Sequence, residues 1–334
     1  MINVMKPGLL STIQDLGRYG YQKYGVIVSG SMDPLAHKIS NLLVGNDEND
    51  ATLEMTLMGP MLEFKETCLI SICGGDLSPT IDGKPVPLRR SLLIKAGSIL
   101  KFGACKSGCR SYLAIAGGFN VETVMNSKST YVRAGIGGLN GRSLKEGDNL
   151  KAGTLSKESE NMIDYLLPYL ENNDFTEIDW SISSEFISAY QQKKTIRVMT
   201  GTEYDSFSAE SREHFFNEPF KVSAQSDRMG YRLEGPSLHL EKDFDMISEA
   251  VAFGTIQVPS NGKPIVLLAD RQTTGGYPRI GQIASVDLPL IAQAKPGEEL
   301  TFTMISHEKA QELYIDRERQ LRHLKQGVAL KFNS

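Results

Sequence analysis

Long hydrophobic runs, a surplus of positive charge and a nucleotide-binding glycine loop are all missing from this chain. The longest unbroken aliphatic stretches, such as Ile265 to Ala269, are far too short to cross a bilayer. A Lys6-Pro7-Gly8 break falls where a secretory signal would carry its apolar centre, so a cytoplasmic protein without membrane contact is expected. Lys plus Arg number 36 against 40 Asp plus Glu, a net charge of −4 over 334 residues. With no basic excess to neutralise phosphates, nucleic acid is disfavoured as a partner. Gly83-Lys84 and Gly262-Lys263 are both followed by Pro and lack the earlier Gly, which excludes a P-loop. Neither G-x-S-x-G nor H-E-x-x-H occurs. The five histidines, His37, His214, His239, His307 and His323, show no ligand spacing, and no metal-ligating residues are assigned. Cysteine is scarce: Cys68, Cys73, Cys105 and Cys109 form no CxxC pair and sit in apolar, strand-like runs. They read as reduced packing residues rather than a zinc site. Met5-Lys6-Pro7 lacks the second Met of the usual Met-Lys-Met, so no covalently attached biotin is expected.

What is there is the composition of an ordinary globular protein, 40% hydrophobic and 23% charged, which rules out disorder. Its length suits two domains. The sequence also resembles itself. Gly59-Pro60-Met61-Leu62-Glu63-Phe64 is answered by Gly235-Pro236-Ser237-Leu238-His239-Leu240, Asp82-Gly83-Lys84-Pro85 by Asn261-Gly262-Lys263-Pro264, and Lys95-Ala96-Gly97 by Lys295-Pro296-Gly297. The order is kept and the spacing grows, as loop insertions in a second copy would produce. Both halves read as short Val/Ile/Leu strands between Gly, Pro, Asn and Asp, among them Leu69–Cys73, Ser91–Lys95, Tyr112–Ala116 and Ile265–Ala269. Asp82-Gly83 and Asn261-Gly262 signal hairpins, because both residue pairs tolerate positive φ. The fold class is therefore mostly β with a few helices, in two closed or nearly closed barrels.

Asp33-Pro34 is placed to cap a helix with Leu35, Ala36, Ile39, Leu42 and Leu43 on its apolar face, ending at Gly45-Asn46. A charge-rich helix is expected over 307–324. Glycine is absent from 155 to 194, where helical patterns cover 161–170 and 185–192 and the single Trp, Trp180, is expected to pack. The expected boundaries are thus 1–154 for a first barrel, 155–194 for a structured linker, 195–306 for a second barrel and 307–334 for a terminal helix and tail.

Four clusters combine Gly with Arg and Asp: Gln14–Asp33, Ser129–Asp148, Ser226–Gly235 and Gly254–Pro278. Arg offers a planar fork for carboxylate or phosphate, Gly admits close backbone approach, and Asp accepts hydrogen bonds, holds Mg²⁺ or acts as a base. Tight turns braced by Asp–Arg pairs would look the same. The fourth cluster tips towards a ligand-facing loop, since Asp270-Arg271-Gln272-Thr273-Thr274-Gly275-Gly276 is longer than a turn needs. Asp33 is accounted for by its capping role.

At these clusters, from Lys6-Pro7-Gly8 through Lys295-Pro296-Gly297, the sequence resembles the biotin-dependent carboxyltransferase, or allophanate hydrolase subunit 2-like, family. More narrowly, it is similar to the group of 5-oxoprolinase C subunits. The resemblance implies two tandem cyclophilin-like β-barrel domains, in agreement with the internal repeat. It implies partners, the A and B subunits of 5-oxoprolinase, and ATP-dependent opening of 5-oxo-L-proline to L-glutamate. Mg²⁺ is a further expectation, and little activity is expected of the chain alone. The resemblance also implies catalytic roles for Asp270, Arg271, Asp227 and Arg228. Arginines would hold carboxylate or phosphate, with Arg133 and Arg142 as second candidates, and the Asp residues would orient them or bind Mg²⁺. Gln257, Gln272, Thr273 and Thr274 would meet the lactam amide, and Gln14, Asp15 and Arg18 would line the same cleft. Two other functions stay open: a carboxyltransferase acting with a separate biotinylated carrier on urea or a similar amide, and a binding antagonist of a histidine-kinase inhibitor, which in this group is the B subunit itself.

Overall fold

A computed structural model describes residues 1–182, 195–242 and 246–332. They form two compact units: Met1–Arg18, Ser29–Gln191 and Arg319–Ser334 make the first, Tyr19–Val28 and Gln192–Glu318 the second. The mostly-β reading holds in both. No described helix is long and apolar enough to cross a membrane.

The first unit has two six-stranded antiparallel sheets. One runs Asn149–Leu150, Ile2–Lys6, Met61–Phe64, Ile99–Lys101, Thr80–Ile81, Lys84–Pro85; the other Phe175–Glu177, Ser91–Ile94, Cys68–Asp76, Ser107–Ile115, Thr52–Thr56, Leu10–Gln14. Alternation decides which residues meet between them. Ile2, Val4, Leu62 and Phe64 from one sheet share a core with Leu53, Met55, Ile70, Ile72 and Leu113 from the other. The opposite face of the second sheet is buried as well, which is why Leu69 to Cys73 is apolar at every position but Ser71, whose hydroxyl donates to Ser40 O. Helix α1 (Pro34–Leu42) covers part of it through Leu35, Ile39 and Leu42 against Cys73 and Tyr112. As its sequence predicts, Asp33 caps it, accepting from the Ala36 N–H at 3.0 Å, with Pro34 at the first position. Helix α2 (Lys157–Leu166) covers the rest with Met162 and Leu166 against Leu69, Leu93 and Ala114.

This packing changes how the middle of the chain is read. Ser156 caps α2, so the helix begins four residues before the expected Asn161, and Pro168 converts Leu167–Tyr169 to a 3₁₀ turn. Phe175–Glu177 then adds a strand beside Ser91–Ile94. Residues 155–182 are consequently part of the first unit rather than a linker of their own, because Met162, Leu166, Leu170 and Ile178 bury their side chains on it. Trp180 is half-buried in the same surroundings. The helix expected near 185–192 lies outside the described residues.

The second unit is a closed barrel. Its strands run Thr195–Thr200, Arg279–Ile283, Thr255–Gln257, Ile265–Leu267, Gly230–Glu234, Phe220–Val222, Glu299–Met304, and a parallel pairing of the last with the first closes it. Phe302 stacks on Phe215 at 4.9 Å between centroids and lies 5.8 Å from Phe220, filling the interior. Phe215 comes from α3 (Ala209–Asn217), capped by Ser208. A short α4 (Leu288–Ala292) follows the fourth cluster. Helix α5 (His307–Phe332) outruns the expected 307–324: its stretch up to Glu318 belongs to the second unit, and Leu321, Val328 and Phe332 are buried in the first.

The internal resemblance survives unevenly. Gly97 (φ 91°) and Gly297 (φ 88°) each close the turn before a strand, and the N–H two residues after each Ala or Pro donates back to Lys95 or Lys295. Asp82-Gly83 makes the expected two-residue hairpin, with φ of 48° and 83°. Asn261-Gly262 does not. It sits in a seven-residue loop between Gln257 and Ile265, where the Asn261 side chain accepts from the Lys263 N–H and only Gly262 is left-handed. The cysteines are free thiols; burial pushes the Cys68 thiol up to about 11 and Cys73 to about 12, which leaves both inert at neutral pH. Cys105 lies in the loop before Ser107–Ile115 rather than in a strand.

Candidate functional site

The candidate residues gather in two places, one in each unit. In the first, Asp15 follows directly on the strand Leu10–Gln14 and is buried. One of its oxygens accepts from the Gly17 N–H (2.8 Å), Ser127 Oγ (2.8 Å) and Ser129 Oγ, the other from the Lys128 N–H (2.6 Å). Gln14 donates to Thr130 O, and buried Arg18 donates to Val124 O and Ser129 O, both at 2.9 Å. So the first sequence cluster grips the start of the second. These three residues position backbone; they do not present their polar ends to solvent.

Beyond that grip the chain forms the glycine loop Gly135–Gly141, which borders a cleft of about 410 Å³ with Asn120, Glu122 and Val124. Gly137 is left-handed (φ 69°), and a Cβ there would overlap Ser129 O and lie 2.7 Å from Arg18 Nη2. Gly137→Ala is therefore expected to cost about 2–4 kcal/mol, from a forced left-handed residue plus backbone overlap. Gly135, also left-handed, would place its Cβ in open space. Gly135→Ala should cost only about 1 kcal/mol of strain, and thermal unfolding of the two variants side by side checks the contrast. The two second-choice arginines stand apart from this grip. Arg133 is exposed, and Arg142 is held by both oxygens of Asp148 at 2.7 and 2.8 Å, its pKa raised by that bond.

In the barrel, Arg228 and Asp270 form a buried bidentate pair, Nε to Oδ2 at 2.9 Å and Nη2 to Oδ1 at 3.1 Å. The Asp270 N–H donates to Arg228 O, so strand ends on both sides of the pair are locked together. Asp227 does something else: its Oδ1 accepts from the Met229 and Gly230 N–H groups and braces a turn. The two Asp side chains are thus engaged separately. Among the described residues no group of three or more His, Cys, Asp or Glu is arranged to hold a metal ion.

Next to the pair, Arg271 donates to Leu268 O (3.2 Å) and Val251 O (3.3 Å) and rests over the Phe253 ring. Gln257 is buried, its Nε2 bound to Tyr277 O at 3.1 Å, and Gly275 leaves room for that amide: a Cβ there would overlap Nε2. Gln272 and Thr274 are exposed and Thr273 half-exposed. The fourth cluster therefore offers one arginine and several hydroxyl and amide groups at the end of a barrel strand.

Sequence reasoning missed several buried polar groups. Glu54 accepts from the Met32 N–H (2.8 Å) and Tyr112 OH (2.7 Å), and Tyr112 OH accepts from the Asp33 N–H, pinning Met32 and Asp33 just before α1. A charge between Leu53 and Met55 in an apolar strand was the available signal. His37 is fully buried between Thr52 Oγ1 (2.9 Å) and Asn41 Nδ2 (3.4 Å). In the barrel, Arg279 is clamped by Glu203 and also touches Glu249 at 2.7 Å, while Arg197 is clamped by buried Asp287.

A family model described as carboxyltransferase domain, subdomain A and B, matches residues 24–304. The chain belongs to this family. Carboxyltransferase-domain relatives include the 5-oxoprolinase C subunit of Escherichia coli, 37% identical over 324 residues and 97% of each chain. The 5-oxoprolinase C subunit of Haemophilus influenzae is 35% identical over 328 residues, 96% of this chain and 98% of that one. Of solved structures, Kluyveromyces lactis urea carboxylase matches with a TM-score of 0.86 at 28% identity, over 98% of this chain and 29% of its own. The carboxyltransferase fold is thus shared with proteins several times longer.

Proposed function

We propose that this protein is the C subunit of an ATP-dependent 5-oxoprolinase, which with the A and B subunits opens 5-oxo-L-proline to L-glutamate. The end-to-end likeness to two 5-oxoprolinase C subunits supports this reading over the urea enzymes, of which the chain matches only a fraction. The chemistry explains the need for ATP. The lactam is a resonance-stabilised amide with a poor electrophilic carbon. Transfer of the γ-phosphoryl group to the lactam oxygen releases ADP and activates the ring carbon. Water then adds there, the C–N bond breaks with protonation of nitrogen to give an open-chain acyl phosphate, and a second water hydrolyses that to glutamate and phosphate.

In this reading the B and C subunits handle lactam activation and the A subunit, in turn, completes hydrolysis. Arg271 contributes a binding group, Asp270 fixes Arg228, and Gln257, Gln272, Thr273 and Thr274 supply amide and hydroxyl contacts for the ring. The test is glutamate release from 5-oxoproline and ATP by the purified A and B subunits, with and without this chain. Release only when the chain is added is the expected result. A stable complex with the B subunit that releases none would overturn the proposal. Transfer of a carboxyl group from a biotinylated carrier to urea only in the presence of this chain would replace it with the carboxyltransferase reading, which the urea carboxylase fold favours next.

A further inference from the structure

Of the buried and half-buried arginines on the barrel strands and the loops between them, one differs from the rest. Arg197 has Asp287, Arg228 has Asp270, and Arg279 has Glu203 and Glu249. Arg271 has no carboxylate partner among the described residues. Its Nε and Nη1 donate to the carbonyls of Val251 and Leu268, and the Nη2 edge is left for something else. The guanidinium is half-buried and lies over the Phe253 face, so it is also partly dehydrated. Burial lowers its pKa, against a smaller opposing effect of the Tyr19 phenol. A cation held this way is stabilised by an incoming anion, and a guanidinium edge matches the plane of a carboxylate.

The size of the charge decides which anion. One unneutralised arginine balances one negative charge. A triphosphate carries several, and proteins meet it with a glycine loop at a helix N-terminus, with several cations or with a bound metal. The sequence has no P-loop, the neighbouring arginines are already neutralised, and Asp227 and Asp270 face backbone N–H groups and Arg228 respectively. The ATP phosphates expected from the family therefore do not fit these residues.

We infer that this chain holds the carboxylate of a small monoanionic acid at Arg271, and that the nucleotide's triphosphate is held elsewhere in the complex. The inference rests on the 5-oxoprolinase reading and narrows it: within the complex, this chain recognises the acid end of the lactam substrate. The uncharged Gln257, Gln272 and Thr273 suit the neutral remainder of such a ligand, which needs hydrogen bonds but no further charge.

The test is calorimetric binding to the purified full chain, using 5-oxo-L-proline, its uncharged carboxamide and ATP as separate probes. The acid is expected to bind, and the carboxamide roughly ten- to a hundredfold more weakly, the worth of a charge-assisted hydrogen bond. ATP should neither bind nor displace the acid. Arg271→Ala should weaken acid binding to the same extent as the carboxamide change and leave carboxamide binding unaltered. Comparing the acid with its carboxamide on the wild-type chain needs no variant, so a misfolded Arg271→Ala would not disarm the test. Equal binding of acid and carboxamide, no binding of the acid, or binding of ATP would each overturn the inference. Reconstituted glutamate release is a separate readout. If it still required the chain, the 5-oxoprolinase reading would stand while the carboxylate site fell; if it failed while the acid bound, the reverse.

Discussion

Asp270→Ala is expected to destabilise the barrel by about 3–5 kcal/mol, the loss typical when one partner of a buried ion pair is removed. Both side chains are over nine-tenths buried, 8% and 9% exposed, so the guanidinium of Arg228 would be left in a low-dielectric site with no counter-charge. The pair itself is worth far less than that. Its mutual attraction mostly offsets the cost of taking two charges out of water. Replacing both partners with apolar residues of similar size, Arg228→Met with Asp270→Leu, should therefore cost no more than about 1–2 kcal/mol. Urea unfolding of the two variants beside the wild-type chain separates the readings. A single variant that loses less than the double one would mean that the pair is not what locks the two strand ends. The 5-oxo-L-proline binding proposed for neighbouring Arg271 supplies a second readout, since Asp270 and Arg271 are consecutive and displacement of one moves the backbone of the other.

The second large effect is on pH. His37 is fully buried, and burial lowers its pKa from 6.5 to about 4, overcoming the opposite pull of Asp15, the Glu48 carbonyl and Glu54. The folded first unit thus keeps the imidazole neutral at pH values where the unfolded chain would protonate it. Between pH 6.5 and 4 the unfolded state binds more protons, so this residue's contribution to stability is full above pH 6.5 and declines as pH falls through that window. The total is on the order of 3 kcal/mol. His37→Gln, which cannot titrate, should have a flatter pH profile of unfolding free energy, and the wild-type curve should fall relative to it by that amount between about pH 7 and pH 4. Parallel curves would mean that His37 is solvated or protonated in the fold.

Which features could be read in advance follows from how local their causes are. Asp33-Pro34 before an apolar helical stripe, and Asp82-Gly83 between two strands, act within four residues, and both appear as expected. Asn261-Gly262 carries the same turn chemistry, yet its flanking residues pair further out and the loop is longer. The fourth cluster's distinctness was also legible, because seven polar or glycine residues after a strand exceed what a turn requires. What each polar residue does there was not. Asp227 braces its own turn and Asp270 binds Arg228, and sequence offers no sign of the difference, since the Asp270 partner is 42 residues away. The Glu54–Tyr112 bond spans 58 residues and Asp15–Ser127 spans 112. Burial assembled by distant strands decides such groups, and a one-dimensional pattern records only that something polar interrupts an apolar run.

The chain changes unit after Arg18, Val28, Gln191 and Glu318. Neither unit is therefore a continuous stretch of sequence that a gene could gain, lose or lend by a single cut. Cleaving the chain between its halves would strand residues 19–28 with the wrong fragment and part α5 from the apolar surface its last turns cover. The two units are expected to be inherited and expressed as one piece, and separately expressed halves should recover native structure only when mixed, as complementing fragments do.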